Sequence, residues 1–246
     1  RFEAVVREWP VSRDHGRWQV PVEGGEEGEK ALSALLFTDE QGAGLRPGDR
    51  VTGGAQCTAA THTRTGEDIT YYTAKGIFLQ ADLYGKLEVE PGAEPSWQYW
   101  PAYLSRTLKG GIDRAFPADV APVVQGIVTG GRENLSDTFT SSLQRTGLSH
   151  TVAVSGMHLA FLAGAVTLLL GRGKRSGAVC TLILAVLFWG VAGGTPSVSR
   201  AAMMLALLQI APLLGRERDS FTALAFALAV LLMWNPFSAA HVGLQL

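Results

Sequence analysis

Gly193-Gly194-Thr195-Pro196-Ser197-Val198-Ser199-Arg200 interrupts a near-continuous apolar stretch that runs from about Thr151 to Leu246. The glycine pair can end one helix, Thr195 suits an N-cap and Pro196 suits the first position of the next helix. A third apolar segment is therefore expected to start near Ser197, with Arg200 one turn in. A cation beside a broken hydrophobic helix is costly in lipid and marks a functional site by default. The helix start adds spare N–H donors and the positive end of the helix dipole, both of which favour anions. Arg200 and Ser197 together predict an entry site for a substrate bearing phosphate or carboxylate. The competing reading has Arg200 reaching the outer headgroups while the glycines merely allow close packing.

Working outward, four apolar segments are legible: Thr151 to Leu170, Ala178 to Gly194, Ala201 to Leu214 and Phe221 to Trp234. A spanning helix needs about 20 apolar residues. The third and fourth segments reach that length only if flanking residues count, or if those helices are re-entrant. Basic residues follow alternate segments, Arg172, Lys174 and Arg175 after the first and Arg216 and Arg218 after the third. Positive charge collects on the cytoplasmic side, so everything before the first span is expected outside the cytoplasm.

The half preceding these segments differs in composition. Residues 1–95 carry 10 Lys+Arg against 16 Asp+Glu, and residues 96–246 carry 11 against 6, so a net charge of −1 hides an acidic head and a basic tail. An acidic head is a poor non-specific grip on nucleic acid, which relies on cations neutralising phosphates. Short β-type runs fill it: Phe2 to Val6, Arg17 to Val22, Leu35 to Thr38, a strand after the Pro47-Gly48 turn, Ile69 to Thr73, Ile77 to Ala81 and Gly85 to Val89. Their number and spacing predict a small OB-like barrel, with a sandwich as the alternative. Tyr71, Tyr72, Phe78 and Tyr84 read as core rather than as stacking platforms. The fold class is thus mixed, an OB-like β domain over 1–95 followed by an all-α multi-pass membrane domain over 150–246. Between them, 96–149 reads as an amphipathic interfacial segment, with Trp97, Tyr99, Trp100 and Tyr103 as an aromatic belt at headgroup level. A soluble helical linker packed on the β domain is the alternative.

Within the first apolar segment, Gly156, Ala160 and Gly164 form a small-residue stripe that would let another helix approach. Ser155 and His158, three apart on a helix, are candidates to line a wet passage. As a nucleophile pair they lack an acid to orient the imidazole, so no catalytic residue is assigned. His150 and His158 do not have the spacing of a helical metal pair, and Cys57 and Cys180 stand apart, so neither a metal nor another cofactor is expected. Both ends read as cut: Phe2 to Val6 is a strand already under way, and Gly243-Leu244-Gln245-Leu246 stops within an apolar stretch. An internal piece of a larger membrane protein is expected.

Several stretches resemble, in order, the ComEC family of bacterial competence proteins. They are Leu143 to His150, Ala153 to His158, Gly194 to Met203, Arg216 with Asp219, Asn235-Pro236 and Gly243 to Leu246. The resemblance covers about Pro117 to the end, and the OB-like head sits where the family carries such a domain. It implies a multi-pass inner-membrane channel passing single-stranded DNA into the cytoplasm during natural transformation. Its partners would be single-stranded DNA, the lipid bilayer and other competence-machinery proteins. A metallo-β-lactamase-like domain often found in the family has no His-x-His-x-Asp-His motif here. Arg200, Ser197, His158 and Ser155 are the groups available to line a passage for a polyanion. Two other functions fit the residues: a transporter for a small anionic solute built on broken helices, and a membrane-embedded hydrolase using Ser155 and His158.

Overall fold

Alternating apolar positions build the first unit. In the computed structural model, Val20 and Val22 of one strand lie opposite Leu36 and Ala34 of the next, and Leu36 lies opposite Ala81. All five side chains are buried, together with Val6 and Val51. Each fully buried Val or Leu contributes about 1.5–3 kcal/mol relative to exposure, so this layer dominates the unit's stability. The structure describes residues 2–12, 16–24, 32–61, 71–74, 76–92, 97–131, 135–146, 156–171 and 175–240.

The strands are β1 (Phe2–Val6), β2 (Val11–Ser12), β3 (Trp18–Gly24), β4 (Leu32–Thr38), β5 (Arg50–Ala59) and β6 (Leu79–Glu90). They run in the order β1-β5-β6-β4-β3-β2, and a β1–β3 pairing closes five of them into a barrel. The β4–β6 pairing is parallel and the other ladders are antiparallel. This is an OB-like barrel, as the strand count suggests. The Pro47-Gly48 turn sits where expected: Gly48 has φ +101° and donates to Val6 O at 2.8 Å, and β5 begins two residues later. Pro21 falls between the β1 and β2 ladders of β3, where no donor is needed, and its carbonyl accepts from Arg7 N at 2.9 Å. A 3-10 turn over Glu40–Gly44 seats Gly42 on Thr38, Trp18 and Val20.

Two expected strands come out differently. Tyr71–Ala74 is a single helical turn, α1, rather than part of a strand, while Ile69 and Thr70 lie outside the described residues. The two short runs at Ile77 and Gly85 are one strand, β6, which passes through a left-handed Gly85 beside a register shift at Thr52/Gly54 of β5. A glycine reads as a stop in sequence but serves here as an irregularity inside a long strand. Tyr99 is buried with Gly48 against its ring, and Tyr103 meets Trp9 edge-on with ring centroids 5.6 Å apart. Those two aromatics therefore pack on the barrel instead of forming a belt, whereas Trp97 is exposed.

The chain divides into two compact units, Arg1–Tyr103 and Leu104–Leu246. The helices are α2 (Trp100–Ala115), α3 (Ala121–Thr129), α4 (Asp137–Arg145), α5 (Gly156–Leu170), α6 (Arg175–Val191), α7 (Pro196–Leu213) and α8 (Ser220–Trp234). Buried Gln125 ties α3 to α2 by donating to Asp113 Oδ1 at 2.6 Å and to Lys109 O at 3.3 Å. Asp219 caps α8 by accepting from Phe221 N at 3.0 Å. Among the described residues one helix, α7, is long and apolar enough to cross a membrane, and α5, α6 and α8 are shorter apolar helices. The longest is the segment expected to be short, because its polar first turn over 196–200 is helical too.

Many of the helical unit's large apolar side chains lie on the outside, although Leu159 and Val198 are buried. Alanines occupy buried positions, Ala163, Ala178, Ala185, Ala223 and Ala227, while Phe161 is 70% exposed, Leu168 85%, Ile183 56% and Phe226 53%. Small residues thus take many of the buried positions of α5 through α8, while many bulky apolar side chains are exposed.

Candidate functional site

Two consecutive glycines in left-handed conformation, Gly193 at φ +68° and Gly194 at φ +57°, close α6 and open α7. Backbone bonds tie the turn back onto α6: Gly194 N donates to Trp189 O at 3.0 Å and Gly193 N to Gly190 O at 3.2 Å. Only glycine takes this backbone without penalty, which is why the pair stands where a short helix–helix connection reverses direction. Helix α7 starts at Pro196 with Thr195 as N-cap, as the sequence predicts, but the Thr195 hydroxyl makes no capping bond. Val198 is fully buried and packs with Ala192 and Phe188.

Side chains lock the turn as well. Trp189 Nε1 donates to Ser199 Oγ at 2.8 Å, and Ser199 Oγ donates to Gly194 O at 3.1 Å. The Trp189 ring lies against Gly194, where an added Cβ would come within 3.3 Å of Cζ2. Sequence reasoning missed both Trp189 and Ser199. The available signal was a tryptophan near the end of an apolar run, whose indole N–H needs an acceptor once water is excluded. Ser199 supplies that acceptor from across the glycine break.

Of the expected site residues, Ser197 and Arg200 are half-buried in the first two turns of α7, and His158 is half-buried in the first turn of α5. Arg200 and His158 each have an interaction partner. Ser155 and His150 lie outside the described residues, as do Arg172 and Lys174. The starts of α5 and α7 come together at Gly156, where an added Cβ would sit 2.9 Å from Ala201 Cβ. His158 is two residues, about 200°, around the helix from that contact.

The small-residue stripe is only partly used. Gly156 packs on Ala201, but Gly164 has no neighbour within 4 Å of an added Cβ and Ala160 is exposed. Leu159 and Ala163 are buried instead. The interior face is therefore rotated off the glycine–alanine row. Among the described residues, no three His, Cys, Asp or Glu side chains gather as they would around a metal ion.

Asp219 carries the clearest electrostatic signature outside the apolar segments. The Thr222 hydroxyl and then the Phe221 N–H hold its carboxyl below the usual carboxylate range. Arg216 and Arg218 precede it in the same exposed connection between α7 and α8.

Residues 127–246 match the family model described as Competence protein. ComE operon protein 3 of Bacillus subtilis (strain 168) is 26% identical over 167 residues, which is 66% of this chain and 22% of that protein. The chain thus spans about a fifth of the length of the curated relative it matches. No solved structure matches it.

Proposed function

We propose that this chain, whose residues 127–246 match the competence-protein family model, forms part of an inner-membrane channel that passes single-stranded DNA into the cytoplasm. The observation that carries the proposal is the Gly193–Arg200 break, set among helices with many bulky apolar side chains exposed. Lipid tails solvate Phe161, Ile183 and Phe226 as well as a protein core would, and alanine-lined contacts suit helices associating in lipid. In water the same exposed surface would drive aggregation. A bilayer rejects phosphates, so their route needs cations, hydroxyls or helix starts beside it.

In this reading Arg200, Ser197 and His158 line the route, and Ser155 joins them on sequence alone. The α6–α7 turn faces the extracytoplasmic side with the OB-like barrel, and the Arg216–Asp219 connection faces the cytoplasm. The chain itself carries out no catalytic step. It works beside other competence-machinery proteins.

The test is DNA uptake by transformable cells carrying Arg200→Ala, with the membrane abundance of the protein measured in parallel. The proposal expects uptake to fall at unchanged abundance. It also expects the purified protein to bind single-stranded DNA in a salt-sensitive manner that Arg200→Ala weakens. Uptake and binding at the parental level would remove Arg200 from the route. Retained uptake of DNA with lost transport of a small anion would favour the solute-transporter function instead.

A further inference from the structure

Two side chains at the break, Trp189 and Ser199, have no part in the proposed route, yet they bind the turn together. The Ser199 hydroxyl accepts from Trp189 Nε1 at 2.8 Å and donates to Gly194 O at 3.1 Å. It joins the last turn of α6, the left-handed turn and the second turn of α7 in one chain of hydrogen bonds. Ser199 is buried, while Trp189 is 42% exposed. If that exposed part faces acyl chains, no water is present to satisfy the indole N–H, and Ser199 is the acceptor it has.

Arg200 is the next residue after Ser199. Successive residues of an α-helix are about 100° apart around its axis. A tether that holds Ser199 toward α6 therefore also sets the direction in which Arg200 leaves α7. Two other contacts near this point, Val198 with Ala192 and Phe188 and Ala201 with Gly156, are apolar. Such contact is non-directional and leaves the axial rotation of α7 less defined.

We propose that Trp189 and Ser199 are positioning residues, whose hydrogen bond fixes the start of α7 so that Arg200 presents its guanidinium to the phosphates of the passing strand. The proposal rests on Arg200 being a residue of the DNA route. It makes Arg specifically the side chain that needs positioning, because a planar guanidinium binds phosphate through an oriented fork whereas an ammonium acts as a point charge.

The experiment measures DNA uptake per unit of membrane-inserted protein for Trp189→Phe, Ser199→Ala, their combination, Ser199→Thr, Arg200→Ala and Arg200→Lys. Losing one neutral hydrogen bond shifts an equilibrium about fivefold. Trp189→Phe should lower uptake by about that factor and Ser199→Ala, which also loses the bond to Gly194 O, by at least as much, and the combination should be no worse than Ser199→Ala alone. Ser199→Thr, which keeps the hydroxyl, should restore it. In an Arg200→Lys background the loss from Trp189→Phe should shrink toward none, which a merely structural role would not produce. Normal uptake in Trp189→Phe and Ser199→Ala with defective Arg200→Ala overturns the positioning role and leaves the route standing. An undiminished Trp189→Phe loss in Arg200→Lys overturns the positioning role as well. Normal uptake in Arg200→Ala takes down the route and the positioning role together.

Discussion

Substituting the two glycines of the break one at a time separates backbone strain from side-chain contact. Both hold left-handed φ, so alanine at either costs about 1–2 kcal/mol for the backbone alone. At Gly193 nothing lies within 4 Å of the added Cβ, and the cost ends there. At Gly194 the Cβ meets Trp189 Cζ2 at 3.3 Å and Cε2 at 3.4 Å, tighter than ordinary contact. Displacing the indole strains its 2.8 Å bond to Ser199, and losing that bond costs about 1 kcal/mol more. The expectation is about 1–2 kcal/mol for Gly193→Ala and about 2–3 kcal/mol for Gly194→Ala. Native-state amide exchange in a lipid nanodisc reads such local opening energies. The Ser199 N–H, bonded to Thr195 O at 2.8 Å, and the Ala192 N–H, bonded to Phe188 O at 2.9 Å, are the reporters. Their exchange should quicken about 5- to 30-fold in Gly193→Ala and about 30- to 150-fold in Gly194→Ala. In a Trp189→Phe background the gap between the two should close. Equal acceleration in the parental background, or a larger effect of Gly193→Ala, would refute the packing of Trp189 on the turn.

Other consequences follow for both units. Gly42→Ala drives a Cβ into Thr38 Cγ2 and to 3.1 Å from Trp18 Cβ, and should destabilise the barrel by about 1–3 kcal/mol. Thr38→Ser deletes that methyl, so Gly42→Ala should cost less in a Thr38→Ser background, the remainder coming from Trp18 Cβ, as measured by exchange of the β3 and β4 amides. Gln125→Ala removes both ties between α3 and α2 and should cost about 1–3 kcal/mol, read from faster exchange in α3. The Asp219 carboxyl titrates below its unfolded value, so the capping benefit is complete above the usual carboxylate range and disappears as pH falls through the depressed value. After correction for intrinsic exchange, protection of the Phe221 amide should drop in acid in the parental chain, and Asp219→Asn should lose that pH dependence.

The sequence disclosed local features more readily than the way they meet. The boundaries of β1, the Pro47-Gly48 turn and the Thr195–Pro196 helix start each depend on a few adjacent residues, and each was legible. The mistaken strand at Tyr71–Thr73 arose because aromatic and β-branched residues favour strands only where a ladder receives them, and here they form one helical turn. Tyr99 and Tyr103 looked like interfacial anchors because an amphipathic ring suits a headgroup layer and a barrel surface equally. The partners that decide between those, Gly48 and Trp9, are distant in sequence. The Gly156–Ala160–Gly164 row had the right spacing for a helix contact, but only Gly156 is used, since the rotation of α5 depends on what α6 and α7 offer it. Trp189 and Ser199 escaped notice for a similar reason. Their pairing exists only once the glycine turn folds α7 back along α6.

The central claim is that a DNA strand passes beside the start of α7 and not along the lipid-facing side of α6. Site-specific photocrosslinking during uptake tests it directly. Benzoylphenylalanine would replace Ser197 at the break in one strain and Ile183, 56% exposed on α6, in another. Incoming labelled DNA should form an adduct at position 197, while position 183 should capture lipid and no DNA. An uptake-competent strain that yields DNA adducts at 183 but none at 197 would contradict the account.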